Sequence, residues 1–328
     1  MKKIVALVLV FALCLSIVAC AKKTETPAAA APTAELRFVT GGESGTYYAF
    51  GSVIAQHITN NTNVKAIALV GAGSQGNVTQ LRDGEAELAF CQSDVMAYAY
   101  EGTNLFADYG KVTNFSTLCA LYTEQVQIVT TNPDIKTVDD LRGKSVSIGA
   151  AGSGVYFNAI DVLAAYGMTL DDITPTYQSF GDTTESIKDG KIDAGFVVSG
   201  APTTSIVSLA ADNKNTHLVS LDEEHIAALI ASSPYYAKCV IKAGTYSTLA
   251  EDVYTVGVGA VVLVADTVSE DAAYAVVADI FNNAANLTES HAKYGEVSLE
   301  YGSSITSVPY HKGAAKYFAE KGITVPTK

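Results

Sequence analysis

Short apolar segments alternate with glycine-rich turns and amphipathic segments through the first half of the chain. The pattern predicts strands at residues 36–40, 64–70 and 87–91, each followed by a helix, at residues 46–58, 77–83 and 94–100. Glycine-rich turns, Gly41-Gly42-Glu43-Ser44-Gly45 and Gly71-Ala72-Gly73-Ser74-Gln75-Gly76, lie between the first two strands and their helices. Repeated strand–turn–helix units are typical of α/β proteins with parallel strands.

The second half of the chain repeats this plan. A strand at residues 145–148 leads through the turn Gly149-Ala150-Ala151-Gly152-Ser153-Gly154 into a helix that is predicted to reach residue 166. Strands at residues 176–178 and 193–198 flank a helix at 184–188, and the segment at 190–196 resembles the one at 84–90. The repetition predicts two domains of similar topology.

Two extended apolar runs, at residues 118–131 and 254–265, are too long for one strand inside a compact domain. We interpret them as crossings between two lobes, the second crossing being followed by an amphipathic helix at 270–287. The predicted lobe one is therefore discontinuous, at 35–124 and 255–328, and the predicted lobe two spans 125–254. This is the layout of a hinged two-lobe α/β binding protein.

The first residues resemble an export signal. Lys2 and Lys3 precede an apolar run at residues 4–18, which is too short to span a bilayer comfortably but suits a secretory signal. The run ends in Ile17-Val18-Ala19-Cys20, which resembles a bacterial lipobox. We predict a lipoprotein signal peptide at 1–19, lipid attachment at Cys20 and a flexible tether at 20–34; an ordinary signal peptide cleaved nearby is the alternative. Either reading predicts an extracytoplasmic protein, and the first anchors it to the cell membrane.

The amino-acid composition argues against some classes of function. The 328 residues include 34 Asp and Glu against 21 Lys and Arg, a formal net charge of −13. An acidic chain lacks the basic surface that nucleic acids or anionic membrane surfaces attract. Hydrophobic residues make up 48% of the chain, which is enough for a buried core. Of the cysteines beyond Cys20, we expect Cys91, Cys119 and Cys239 to be buried free thiols, with one disulfide among them as the alternative.

The sequence offers little for catalysis. Its five histidines are scattered without a metal-ligand spacing, so we predict no metal site and no cofactor. The second glycine turn, with Asp94 downstream, resembles a dinucleotide-binding motif, but the helix after it is barely two turns and an earlier turn occupies the first βα unit. We therefore predict that the protein is not an enzyme.

An ordered set of motifs carries a specific resemblance. The segments are Gly41-Gly42-Glu43-Ser44-Gly45-Thr46-Tyr47-Tyr48, Gly73-Ser74-Gln75-Gly76-Asn77, Phe90-Cys91-Gln92-Ser93-Asp94, Gly152-Ser153-Gly154, Gly200-Ala201-Pro202 and Ala243-Gly244-Thr245-Tyr246. Together they resemble the TAXI family, the solute receptors of one class of tripartite ATP-independent periplasmic (TRAP) transporters. Gly71 and Val155 depart from that pattern, each standing where the family more often has threonine.

The resemblance implies an α/β, two-lobe, periplasmic-binding-protein-like (flytrap) fold with two hinge crossings. It further implies capture of a small carboxylate solute, either a glutamate- or glutamine-like amino acid or a dicarboxylate. The receptor would deliver this solute to membrane permease subunits driven by an ion gradient. An exported enzyme or an adhesive lipoprotein with an α/β fold remains the alternative.

Glycine turns that open helices are ready anion sites, because the free N–H groups and the helix dipole face the ligand. We expect the ligand to be bound by hydroxyls, side-chain amides and backbone N–H groups at these turns, and not by Arg37, Arg82 or Arg142. Asp94 is expected either to meet a ligand ammonium group or to cap its helix. The predicted ligand-binding residues are Gly45, Thr46, Tyr47, Ser74, Asn77, Gln92, Asp94, Ser153, Gly154 and Val155.

Overall fold

The computed structural model describes residues 34–328 of the chain. The predicted signal peptide at 1–19, the predicted lipid-attachment residue Cys20 and all of the predicted tether except Ala34 lie outside the described residues. The described residues belong to one compact unit. Within the described part, no helix is both long enough and apolar enough to cross a membrane.

Ten strands occur in the described part of the chain. They are β1 (Ala34–Val39), β2 (Val64–Leu69), β3 (Leu88–Gln92), β4 (Phe115–Thr130), β5 (Ser145–Ser147), β6 (Thr174–Thr176), β7 (Ala194–Ser199), β8 (His217–Val219), β9 (Ala237–Ile241) and β10 (Val253–Ala265).

The α-helices are α1 (Thr46–Asn61), α2 (Ser74–Arg82), α3 (Ser93–Glu101), α4 (Val155–Ala165), α5 (Phe180–Lys188), α6 (Thr204–Asp212), α7 (Glu223–Ser232), α8 (Glu270–Asn283), α9 (Leu299–Gly302) and α10 (Lys312–Glu320). Short 3₁₀ helices occupy Asn104–Phe106, Val138–Leu141, Leu170–Asp172, Ala284–Asn286 and Ala292–Glu296.

The strands form one sheet in the order β2-β1-β3-β10-β4-β7-β5-β6, with β8 beside β4 and β9 beside β10. The βα units at both ends of the sheet are parallel, as predicted. The central strands β4 and β10 run antiparallel to each other and to their outer neighbours β7 and β3. The sheet is therefore mixed, because the chain crosses it once in each direction.

The two crossings divide the hydrophobic core. One cluster takes in buried residues from Leu36 to Tyr122 and from Ala260 to Val325, together with Phe157, whereas two further clusters lie between Val126 and Val258. We call the first part lobe one and the second lobe two. At about 3.3 Å per residue, the sixteen residues of β4 extend roughly 50 Å, enough to belong to both lobes. The predicted boundaries 35–124, 125–254 and 255–328 remain a prediction.

Predicted and observed elements differ mainly at their ends. The second glycine turn is shorter than predicted, so that α2 begins at Ser74 and not at residue 77. The helix predicted at 270–287 ends at Asn283 and continues as a 3₁₀ turn at Ala284–Asn286. Strand 176–178 is wrong by two residues, since β6 lies at Thr174–Thr176. Among the described cysteines all three are free; Cys91 and Cys119 are buried as expected, but Cys239 is partly exposed.

Candidate ligand-binding site

A cleft with about 120 Å³ of internal space lies between the two lobes. A water molecule needs roughly 10–15 Å³ by the same measure, so the cleft holds a solute of about ten non-hydrogen atoms. Its walls come from the turns after the parallel strands of both lobes. The lining residues are Gly41, Gly42, Ser44, Gly45, Thr46, Tyr47, Gly71, Ala72, Gly73, Ser74, Gln92, Glu124, Ala150, Ser153, Gly154, Val155, Gln178, Ser179, Phe180, Val198 and Ser199.

Four helices begin at this cleft with N-cap residues that make no capping hydrogen bond within residues 34–328; in α1 the Thr46 N–H donates instead to Ser199 Oγ of lobe two at 3.3 Å. The N-cap residues of α1, α2, α3 and α4 are Gly45, Gly73, Gln92 and Gly154; all four line the cleft, and within the described structure none of their side chains accepts a capping hydrogen bond. The helices α5, α7 and α8 begin instead at Ser179, Asp222 and Ser269, whose side chains do cap them. The positive ends of four helix dipoles thus converge on the cleft.

The glycines allow the lobes to approach each other closely. A Cβ atom on Gly154, in lobe two, would overlap Oε1 of Gln92 in lobe one and lie 2.9 Å from Ser74 Oγ. Gly73, in lobe one, has φ +99° and faces the Cα of Ser153 across the cleft. At Gly73 both the positive φ and the contact with the Ser153 backbone favour glycine, whereas at Gly154 a side chain would displace the side chains of Gln92 and Ser74.

Hydrogen bonds join the lobes around the cleft. Thr46 Oγ1 in lobe one donates to the Gly200 carbonyl at 3.0 Å, and the Ser199 hydroxyl donates to Thr46 Oγ1 at 2.9 Å. The Gly76 N–H donates to the Gly152 carbonyl at 2.9 Å. Gln92 Nε2 donates to Asn158 Oδ1 at 3.0 Å. The lobes are therefore in direct contact, and the cleft is a partly enclosed space.

The structure brings eight of the ten predicted ligand-binding residues together at the cleft. They are Gly45, Thr46, Tyr47, Ser74, Gln92, Ser153, Gly154 and Val155. Among the described residues, Ser153 Oγ and Gln92 Oε1 are buried without a hydrogen-bond partner. Unpartnered buried polar atoms are rare in folded proteins, so these two are free to bind a ligand.

Asn77 lies beneath the cleft and not in its lining. Its side chain is fully buried, and its amide nitrogen donates to the backbone carbonyls of Thr40 and Phe90, the latter at 2.8 Å. Both N–H groups of this amide are thereby used within lobe one. Asn77 ties the end of β3 to the residue that follows β1, and it holds the floor of the site in place.

Asp94 also lies outside the cleft lining. It is fully buried in the first turn of α3, and Asn158 Nδ2 of lobe two donates to its Oδ2 at 3.1 Å. Burial raises the pKa of Asp94 to about 7. Gln92 is the N-cap residue of α3, but the Asp94 carboxyl group accepts from the backbone N–H groups of Asp94 and Val95, which agrees with the expected capping of this helix and not with a ligand contact.

Glu124 lines the cleft, although the sequence analysis did not include it. It lies on β4 where the chain passes between the lobes, its side chain is almost completely buried, and Tyr47 Oη donates to its Oε2 at 2.7 Å. Burial raises the pKa of Glu124 to about 8. A carboxylate in the middle of an apolar strand was the signal that could have identified it, because such a residue is rarely buried without a function.

The three arginines lie away from the cleft. Arg37 pairs with Glu87 at 2.6 Å, Arg82 with Asp83 at 2.8 Å, and Arg142 with Asp172 at 2.9 Å. We expect the separate variants Arg37→Gln, Arg82→Gln and Arg142→Gln to keep the wild-type affinity for the best acid to within about threefold. Isothermal titration checks this, and a hundredfold loss in a folded variant would show that an arginine binds the ligand.

Two of the histidines have capping roles. His291 accepts from the Lys293 N–H and His311 from the Gly313 N–H, each at 3.2 Å. Residues 34–328 contain no group of three or more His, Cys, Asp or Glu arranged to hold a metal ion.

The fold has solved relatives. A protein of Bordetella bronchiseptica RB50 shares 14% identity with a TM-score of 0.51, covering 87% of this chain and 88% of its own. A structure described as a periplasmic transporter shares 15% identity with a TM-score of 0.50, covering 80% of this chain and 88% of its own. The alkanesulfonate-binding protein SsuA from Xanthomonas axonopodis pv. citri, bound to MOPS, shares 15% identity with a TM-score of 0.48, over 89% and 92%. At these identities the first two relatives establish the fold alone.

A protein-family comparison covers most of the chain. The model of the NMT1-like family matches residues 38–322, which include both lobes, both crossings and all the residues of the cleft. The predicted two-lobe α/β fold is confirmed, and the predicted binding role is supported at the level of the family. The chain belongs to the NMT1-like family, and it has a two-lobe α/β fold.

Proposed function

We propose that the protein is an extracytoplasmic receptor that captures a small carboxylate solute in the cleft between its lobes. The observation that carries this proposal is the convergence of four uncapped helix starts, at Gly45, Gly73, Gln92 and Gly154, on one small enclosed space. Backbone N–H groups and helix dipoles at such a place bind an anion without a basic side chain. The unpartnered Ser153 hydroxyl adds a donor from lobe two.

Capture by closure follows from the contacts between the lobes. The hydrogen bonds that Thr46 and Gln92 make to Ser199, Gly200 and Asn158 are available only when the lobes meet. A solute that contacts both lobes favours the same arrangement, and it therefore shifts the population from open to closed.

The finer assignment is also a proposal. The ordered glycine motifs support a TAXI-type receptor that delivers its solute to the permease subunits of a TRAP transporter. The lipobox-like segment ending at Cys20 supports attachment to the outer face of the cell membrane through lipid. In this arrangement the receptor performs no chemistry on the solute, and the ion gradient drives transport.

Thermal-shift screening followed by isothermal titration tests the proposal. The protein is unfolded and refolded to strip it of bound solute, and it is then titrated with amino acids and with dicarboxylates. We expect at least one small acid to bind with a dissociation constant in the micromolar range or below and to be recovered unchanged. No binding across the panel by a folded sample would contradict the proposal, and conversion of the bound compound would favour the exported enzyme.

A further inference from the structure

Glu124 gives the cleft a feature that a simple anion site does not need. The residue is 2% exposed, and it lines the same space as the four helix starts. Tyr47 Oη donates one hydrogen bond to it, and the Gln92 amide group donates another. An ionised carboxylate that lines the same cleft would repel a purely anionic ligand, so the presence of Glu124 beside the helix starts requires an explanation.

Among the described residues, no cationic side chain forms an ion pair with Glu124. The titratable groups that face it are Tyr47, Cys91, Asp94, Tyr122, Lys293 and Tyr301. The single cation of this set, Lys293, is paired with Glu296 and lies over the ring of Tyr122, with 5.3 Å between Nζ and the ring centroid. Burial raises the pKa of the neighbouring phenols and of the Cys91 thiol, which therefore remain neutral.

A second acceptor in the cleft has no partner in the described structure. Asn158 Nδ2 donates to Asp94 Oδ2, so Asn158 Oδ1 must face Gln92. Gln92 Nε2 donates to that oxygen at 3.0 Å, and the orientation of the Gln92 amide is thereby fixed. Its other atom, Oε1, is buried, unpartnered and directed toward Gly154 in the lining of the cleft. The site therefore presents acceptors as well as the donors of the helix starts.

We propose that the solute carries an ammonium group, which binds the Glu124 carboxylate and Gln92 Oε1, while its carboxylate lies at the helix starts. The ligand class is then an amino acid and not a dicarboxylate. This inference rests on the proposed function, in that it assumes a small acid in the cleft. In this proposal the ammonium group binds Glu124, and not Asp94 as the sequence suggested.

The proposal has a consequence for protons. Burial raises the pKa of Glu124 to about 8, so in the ligand-free protein at pH 7 this group is mostly the neutral acid. An ammonium ion requires the carboxylate, and the proton of the Glu124 carboxyl group therefore leaves to the buffer as the complex forms. If Glu124 instead stays protonated and donates to a ligand carboxylate, binding releases no proton from it and weakens as the pH rises through 8.

Isothermal titration of the full stripped protein at pH 7, in two buffers with different ionisation enthalpies, separates these cases. The probes are L-glutamate and glutarate, which differ only in the amino group, followed by the best amino acid of the panel and its deaminated analogue. We expect release of nearly one proton on amino-acid binding, and at least about hundredfold weaker binding of the analogue. Proton uptake, no proton release, or an analogue that binds as tightly would overturn the inference.

Glu124→Gln provides the second measurement, because glutamine keeps the volume and an acceptor for Tyr47. We expect the affinity for the amino acid to fall about a hundredfold, the proton release to disappear and the affinity for the deaminated acid to stay the same. Glu101→Gln, at the exposed end of α3, is the matched control and should bind like the wild type. A Glu124→Gln variant that binds the amino acid normally would overturn the inference. If the variant does not fold, the wild-type proton count decides.

The two proposals fail differently. If dicarboxylates bind and amino acids do not, the solute receptor stands and the ammonium site is wrong. If neither class binds to the folded protein, both are wrong.

Discussion

Replacing Gly154 with alanine is expected to weaken solute binding about a hundredfold while the ligand-free protein stays folded. The new Cβ would overlap Oε1 of Gln92 and lie 2.5 Å from its Cδ, both across the cleft. To make room, Gln92 must give up its bond to Asn158, which leaves buried polar groups unpaired. Each such group costs about 1–3 kcal/mol, and about 2.7 kcal/mol corresponds to a hundredfold change in affinity.

The overlap lies between the lobes, so opening relieves it and only the closed arrangement is penalised. Replacement of an N-cap glycine by alanine adds a cost of about 1 kcal/mol or less to the stability of the ligand-free protein. Gly42→Ala is the matched control, since it also lines the cleft but its Cβ would have no atom within 4 Å. Titration of both variants checks the prediction. Wild-type affinity in Gly154→Ala would show that the lobes do not meet at Gln92 in the complex.

The ligand-free protein is expected to be more stable at pH 5 than at pH 8.5 by on the order of 6 kcal/mol, since each raised carboxyl group loses about 1.4 kcal/mol of stabilisation per pH unit, over about two units for Asp94 and about three for Glu124. Burial raises the pKa of Asp94 from 3.8 to about 7 and that of Glu124 from 4.5 to about 8. Between about pH 4 and pH 8, the folded state keeps the protons of these two carboxyl groups, whereas the unfolded state has released them. Stability therefore falls as the pH rises from about 4 to 8.

Paired surface acids act in the opposite direction at lower pH. The hydrogen bond from Arg37 lowers the pKa of Glu87, which therefore stabilises the fold above the unfolded value and loses that contribution in acid. A maximum at about pH 4 follows. Urea unfolding at pH 5 and pH 8.5 measures the difference, which Asp94→Asn and Glu124→Gln should each reduce and Glu101→Gln should not. Equal or greater stability of the wild type at pH 8.5 would contradict the burial of these two groups.

Much of the site could be predicted from sequence because glycine turns mark the carboxyl ends of parallel strands. Gly45, Ser74, Gln92 and Gly154 belong to four separate turns, and the sheet brings them to one edge. The two crossings were predictable for a similar reason, since β4 and β10 exceed the usual length of a strand. The repeated glycine turns and the unusually long strands could therefore be identified from the sequence alone.

The rest depended on tertiary contacts that the pattern does not encode. Asn77 and Asp94 follow the same turns as the lining residues, but helix rotation directs Asn77 to Thr40 and Asp94 to Asn158, 64 residues later in the chain. Glu124 carries no turn signal and enters the cleft only because β4 passes between the lobes there. The sheet is mixed because β4 and β10 run antiparallel to their neighbours. The local alternation of strands and helices does not show this direction.

In the proposed complex, one small acid lies between the lobes and is bound by the helix starts. A crystal structure of the protein with the best-binding acid tests this most directly. We expect electron density for the solute in the cleft, with its carboxylate within hydrogen-bonding distance of backbone N–H groups in the first turns that follow Gly45, Gly73 or Gly154. A solute bound outside the cleft, or a carboxylate paired with an arginine, would contradict it.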